Sequence, residues 1–316
     1  MAASTEFAGL VEEFNKLISP PMETPYAVAA VKVLSDLVRT SDATTVMELQ
    51  LQLKQAIEVL TKQVSEISVR SGCEIFMVNL SRPSHDRSDF ASWKQRMIMM
   101  GEAFANSTRS FRDRIAQHTE RFFRDGLTVL THSYSRVVMN CLLHASRHYH
   151  LNIIVCEARP ASGTDITPGM RTARELAEHG IPVTVVPDVG VGAIISQVDM
   201  ILVGAAAVVE SGGVVNRLGT FQLAVVAKEF KKPFYCAAES YKFTRLYPLT
   251  QSDLEMQTQI AQLPVPNELA RADGLIKYAA PILDYTPPAY ITLLFTDLGI
   301  LTPSAVSDEL IKLYHE

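Results

Sequence analysis

No run in this sequence is apolar for long enough to cross a bilayer. The most hydrophobic stretch, Ile194 to Val209, is interrupted by Gln197 and Asp199 and falls short of the about 20 residues a spanning helix needs. The first residues, Met-Ala-Ala-Ser-Thr-Glu-Phe, lack a basic segment leading into an apolar core, so no secretory leader is expected. Basic excess is missing as well. Against 29 Lys and Arg stand 34 Asp and Glu, a formal charge of -5, and a general nucleic-acid surface would need a basic patch. Cysteine is sparse: the four (Cys73, Cys141, Cys156, Cys236) are far apart and three lie in apolar runs. With no CxxC pair for zinc and no disulfide framework, they read as buried reduced thiols of a cytosolic protein.

Chemical signatures are missing too. There is no GxxxxGK[ST], which excludes a P-loop nucleotidase. There is no GxSxG, so Ser133 beside His132 is not a hydrolase elbow. Gly190-Val191-Gly192 lacks the third glycine of a dinucleotide fingerprint. His144, His148 and His150 have neither an HExxH frame nor a nearby carboxylate, and read as a solvated helix end rather than metal ligands. No metal site is expected.

What is present is globular usage: 316 residues, 47% hydrophobic and 20% charged, enough for two domains or one large one. The first third has helical periodicity. Phe7, Leu10, Val11, Phe14 and Leu17 share one face, Thr24-Pro25 offers a helix start, and Val28, Val31, Leu34 and Val38 form the next stripe. Thr45-Val46-Met47-Glu48 is a capping box. Ser81–Asp89 reads as an exposed loop, and Trp93–Phe104 and Ser110–Phe123 as two further helices. After Gly126 the pattern changes to short, wholly apolar runs: Leu127–Thr131, Asn152–Glu157, Pro182–Pro187, Met200–Gly204 and Phe234–Ala238. Runs without alternation suit parallel strands covered on both faces. Helical stretches Arg136–His148, Gly169–His179 and Gly219–Phe230 separate them. The expected fold class is therefore α/β: an N-terminal α-helical domain (1–125), then a Rossmann-like doubly wound parallel-sheet domain (126–316). A last helix is expected over Ser304–Tyr314, and the apolar 285–301 stretch is either a dimerisation surface or core.

Ligands of doubly wound folds bind beyond the carboxyl ends of the strands. The residues there are His132-Ser133-Tyr134-Ser135-Arg136, Glu157-Ala158-Arg159-Pro160, and Gly204-Ala205-Ala206 leading into Ser211–Thr220. This last segment is glycine-rich and opens a helix. It is either an anion seat, with Arg217 adding charge, or a tight turn.

These same loops carry a resemblance. Leu130-Thr131-His132-Ser133, Val203-Gly204-Ala205-Ala206, Asn216-Arg217-Leu218-Gly219-Thr220 and Pro233-Phe234-Tyr235 resemble methylthioribose-1-phosphate isomerase and its ribose-bisphosphate relative. In those enzymes a cysteine and an aspartate stand where this chain has Ser133 and Ala206, and act as the acid–base pair. The resemblance thus implies no catalytic residues here, since serine supplies no thiolate and alanine no proton. It retains a phosphate set in outline: Asn216, Gly219 and Thr220, with Arg217 in place of lysine, Arg159 in an Arg-Pro pair, Arg70 in the first domain, and Ser133 itself. Gly169 and Arg171 match a Gly-x-Arg, after a longer Ala161–Pro168 segment. No cofactor is required, but a sugar phosphate, nucleotide monophosphate, phosphate or sulfate would fit as a ligand.

A narrower resemblance, to the alpha branch of the translation initiation factor 2B subunit family, rests on Thr131–Val138, Lys232–Tyr235, Ala238–Phe243, Asp284–Pro288, Leu293–Gly299 and Leu301–Tyr314. It implies a non-catalytic regulatory subunit in the cytosol. It further implies a homodimer within a decameric guanine-nucleotide exchange factor complex with beta, gamma, delta and epsilon subunits. Its role would be to sense the phosphorylated alpha subunit of initiation factor 2 in the integrated stress response. Thr45, Glu48 and Tyr314 are the implied partner contacts. Thr45 and Glu48 read equally as a helix cap, and Tyr314 as ordinary packing. No nucleic acid or membrane partner is implied. An active isomerase with another acid–base pair, such as Glu210 or Asp188 with His132, and a free-standing metabolite-binding protein are the alternatives.

Overall fold

The structure is a computed structural model that describes residues 7–19, 24–64, 67–81, 90–158, 166–254, 261–262 and 279–315. The chain divides into two units, residues 1–111 with 312–316, and residues 112–311.

The first unit is built on α1 (Ala8–Ile18), α2 (Tyr26–Thr40), α3 (Val46–Gln63), α4 (Ile67–Ser81) and the start of α5 (Phe90–Thr119). Its core includes Phe14, Leu34, Leu49, Leu53 and Leu60, all fully buried. Removing each from water is worth about 1.5–3 kcal/mol. Gly72 of α4 faces α2 so closely that a Cβ there would stand 2.8 Å from the Ala27 carbonyl oxygen. Helix α2 starts one residue later than expected. Pro25 occupies the cap position with no side-chain cap, because Thr24 lies one residue too far out. Helix α5 is one 30-residue helix where two were expected. Its polar middle does not break it, because the Ser107 and Thr108 hydroxyls fold back onto the carbonyls of Phe104 and Ala105. The division between the units falls inside this helix, ahead of residue 125.

The second unit contains, in chain order, β1 (Thr128–His132), α6 (Arg136–Ala145), β2 (Asn152–Cys156), α7 (Pro168–Glu178), β3 (Val183–Val186), α8 (Val191–Ile194), β4 (Met200–Gly204), β5 (Ala207–Val209), β6 (Val214–Arg217) and α9 (Thr220–Glu229). It continues with β7 (Phe234–Ala237), β8 (Phe243–Thr244), β9 (Ala261–Gln262), β10 (Ala279–Ala280), β11 (Leu283–Thr286), β12 (Leu293–Thr296), β13 (Gly299–Leu301) and α10 (Val306–His315), whose end belongs to the first unit. The main sheet runs β13-β12-β7-β4-β1-β2-β3, parallel except for β13. Strand order reverses between β1 and β4, which pair directly. That reversal is where such sheets open a crevice for ligands.

Two expectations change here. The glycine-rich segment before α9 is partly a strand: β6 joins a second sheet, β11-β6-β5-β8, because Val214 and Val215 are buried between its neighbours. The 285–301 stretch, read as dimerisation surface or core, contains β12, which enters the main sheet with Leu294 and Phe295 fully buried. Strand β3 is an edge, and its Thr184 and Val185 are exposed rather than covered on both faces. Among the described residues, no helix is long and apolar enough to cross a membrane.

Candidate functional site

The site lies beyond the carboxyl ends of β1 and β4. His132 ends β1, and the chain then reverses through Ser133, which takes a left-handed backbone at φ 63°. The Ser133 amide donates to the Cys156 carbonyl (3.3 Å), and its carbonyl accepts from the Thr172 hydroxyl (2.7 Å). Two neighbouring elements therefore hold the turn in a backbone region that costs non-glycine residues energy. Ser135 then caps α6 by accepting from the Val138 amide. Gly204 ends β4 because a Cβ there would collide with the Ser135 hydroxyl.

His132 is enclosed. Only 2% of it is exposed, and neither ring nitrogen has a hydrogen-bond partner among the described residues. Its Nε2 lies 3.5 Å from Oδ1 of Asp188, at the outer limit of a hydrogen bond. That oxygen is already held by the amide of Ala158 (3.0 Å), itself left-handed at φ 50°. On the other side stands Gly219, the residue before α9, at φ +104°. A Cβ there would be 2.9 Å from His132 Nε2, so glycine serves both the left-handed turn and the space for the imidazole.

The start of α9 is occupied from within the chain. Asp284 of β11 accepts from the amides of Gly219 (2.7 Å) and Phe221 (3.0 Å) through Oδ2. Its Oδ1 is buried with no hydrogen-bond partner among the described residues. Burial pushes its carboxyl from 3.8 up to about 6, against the downward pull of those amides and of His132. The Asn216 amide donates to the Thr220 hydroxyl (3.1 Å), which donates to the Arg217 carbonyl (2.7 Å). The result is a cluster of one imidazole, two carboxylates and a helix N-terminus. Cys156 sits opposite His132 in register, but burial pushes its thiol up to about 12, so it offers no thiolate.

The structure thus brings together Ser133, Asn216, Arg217, Gly219 and Thr220 of the expected set. Ala206 follows β4, its amide bonded to the Val215 carbonyl. Arg159 lies outside the described residues, as does most of the Ser81–Asp89 loop. Arg70 lies on α4 of the first unit, paired with Glu74 at 3.1 Å. Thr45 caps α3 by accepting from the Glu48 amide (3.2 Å), while the Glu48 carboxylate reaches back to the Thr44 amide (2.9 Å), one residue beyond a strict capping box. Tyr314 lies in α10. Glu210 bonds through its backbone to Leu246.

Asp284 and its contact with Gly219 were missed from sequence. Its only signal was the Asp284-Tyr285-Thr286-Pro287-Pro288 run. A carboxylate also stands beside the histidine cluster after all. Glu120 lies 3.4 Å from His144 Nε2 and 3.8 Å from His148 Nε2, brought there by the 3-10 turn after α5. Among the described residues, no group of three or more His, Cys, Asp or Glu is arranged to hold a metal ion.

A helical unit followed by a mostly parallel sheet whose strand order reverses between β1 and β4 defines an α/β protein of the kind that binds ligands at that reversal. The chain belongs to the initiation factor 2 subunit family, whose model matches residues 22–303. It is 43% identical over 319 residues to translation initiation factor eIF2B subunit alpha of Dictyostelium discoideum, covering 98% of each chain. It is 31% identical over 211 residues to ribose 1,5-bisphosphate isomerase of Archaeoglobus fulgidus, covering 66% of this chain and 65% of that one. Its fold matches a chain in the crystal structure of the tetrameric eIF2B-beta2-delta2 complex from C. thermophilum, with a TM-score of 0.76 at 19% identity, covering 99% of this chain and 96% of that one.

Proposed function

We propose that this protein is a non-catalytic regulatory subunit of the guanine-nucleotide exchange factor complex for translation initiation factor 2. The observation that carries the reading is the 43% identity to an eIF2B alpha subunit over 98% of both chains, against 28–31% to ribose 1,5-bisphosphate isomerases. In this reading the chain works in the cytosol as a homodimer joined by beta, gamma, delta and epsilon subunits. It helps sense the phosphorylated alpha subunit of initiation factor 2, with Thr45, Glu48 and Tyr314 as contact residues. Phosphorylation shifts the balance between two docking modes of that partner. Ser133 and Ala206 replace the isomerase acid–base pair, so the cavity holds a sugar phosphate or nucleotide monophosphate as ligand, not substrate. Purifying the tagged chain natively from its own cells tests this. Stoichiometric recovery of the four other subunits is expected. Recovery of the chain alone, as a dimer, would overturn it.

A second reading, an isomerase with altered chemistry, draws on the 3.5 Å approach of His132 to Asp188. It requires turnover of an aldose 1-phosphate by the purified chain, abolished by His132→Ala.

A further inference from the structure

The amides that open α9 are an anion seat by geometry: consecutive N–H groups at the positive end of a ten-residue helix. Here they are taken by the chain's own carboxylate. Asp284 Oδ2 accepts from both Gly219 and Phe221. Among the described residues its other oxygen is buried without a partner, and so are both ring nitrogens of His132, the imidazole against which Gly219 is packed. Three buried polar atoms are thus left with their bonding capacity unspent, which is costly unless something enters to use it.

We propose that Asp284 is an internal competitor for the seat at the start of α9, so that its ionised carboxylate and an incoming phosphate or sulfate monoester exclude one another. The proposal rests on the ligand-cavity reading above and deepens it by naming what regulates occupancy. Two anions cannot share the amides of Gly219 and Phe221, and a like charge a few ångströms away disfavours the second ionised group. The charged groups around Asp284 come from two neighbouring elements. His132 at the end of β1 attracts it, and Asp188 after β3 lies 3.5 Å from that imidazole. The carboxyl is raised to about 6 by burial, so the competitor is switched off by mild acid. The seat therefore opens as pH falls.

The test is calorimetric titration of the full chain with glucose 6-sulfate, whose charge is constant over the range used. Affinity is expected to rise about tenfold as pH falls from about 7.5 to about 5, the span across which Asp284 gains its proton. In Asp284→Asn, which keeps an oxygen for the two amides, affinity at the higher pH is expected to be about tenfold above the unmodified chain, with a flat profile. Unchanged or weaker binding by Asp284→Asn would overturn the proposal. A pH dependence that persists in the variant would also overturn it. If Asp284→Asn fails to fold, the profile of the unmodified chain still decides, a flat one being fatal. No binding by either chain at any pH would sink the cavity reading itself, an outcome distinct from binding that ignores Asp284.

Discussion

Asp284 makes a quantitative prediction about folding that needs no ligand. Its carboxyl is raised from 3.8 to about 6 because burial penalises the charged form more than two amides and His132 favour it. A folded pKa above the unfolded one means the neutral form is preferred in the native state. The stabilisation is complete below about 3.8 and is lost as pH rises through about 6. The whole swing is about 3 kcal/mol, of which about 1.4 kcal/mol, a tenfold change in the folding constant, falls between pH 5 and 7.5. Asp284→Asn removes this titration and leaves His132 and every other group in place. Urea unfolding of both chains, at one protein concentration and at each pH, isolates it. The unmodified chain should lose about 1.4 kcal/mol relative to the variant on going from pH 5 to 7.5. Parallel pH dependence in the two chains, or a variant that falls behind as pH rises, would refute the reasoning.

Three further outcomes follow from packing. Gly72→Ala places a methyl against the Ala27 carbonyl at 2.8 Å, and should cost about 1–3 kcal/mol by urea midpoint as α4 is pushed off α2. Phe295→Ala empties a site where the ring packs 4.8 Å from Phe122 and 5.0 Å from Tyr235. With the residue fully buried, about 3–5 kcal/mol should be lost in the same assay. All four thiols are buried and raised to about 12, so the native chain should resist an aromatic disulfide reagent at neutral pH and react only on unfolding.

The strands of the main sheet were legible because burial on both faces leaves an unbroken apolar run, and Met200–Gly204 came out residue for residue. The second sheet was not. In Gly212-Gly213-Val214-Val215-Asn216-Arg217 the glycines speak for a turn, and pairing with β5 on one side and distant β11 on the other makes the middle a strand. The break expected inside α5 failed for a related reason. Ser107 and Thr108 disfavour helix in isolation, yet their hydroxyls found carbonyls one turn back. The site divides the same way. Residues after β1 and β4 were found because the fold class says where to look. The Asp284–Gly219 contact joins positions 65 apart, and the Glu120–His144 contact joins positions 24 apart. No local periodicity carries such information.

The place of β11 late in the chain has a consequence for synthesis. Asp284 closes the start of α9, and β11 completes the small sheet by pairing with β6, yet both are made after most of the main sheet. A nascent chain that has reached β7 already holds β1, β2, β3 and β4, but its α9 begins with open amides. Strand β12, which must line up beside β7, comes later still. Contacts so distant in sequence form slowly, because the loop between them must close first. The start of α9 is thus among the last features to be finished, and a chain released early on the ribosome would carry a nearly complete sheet beside an open helix end.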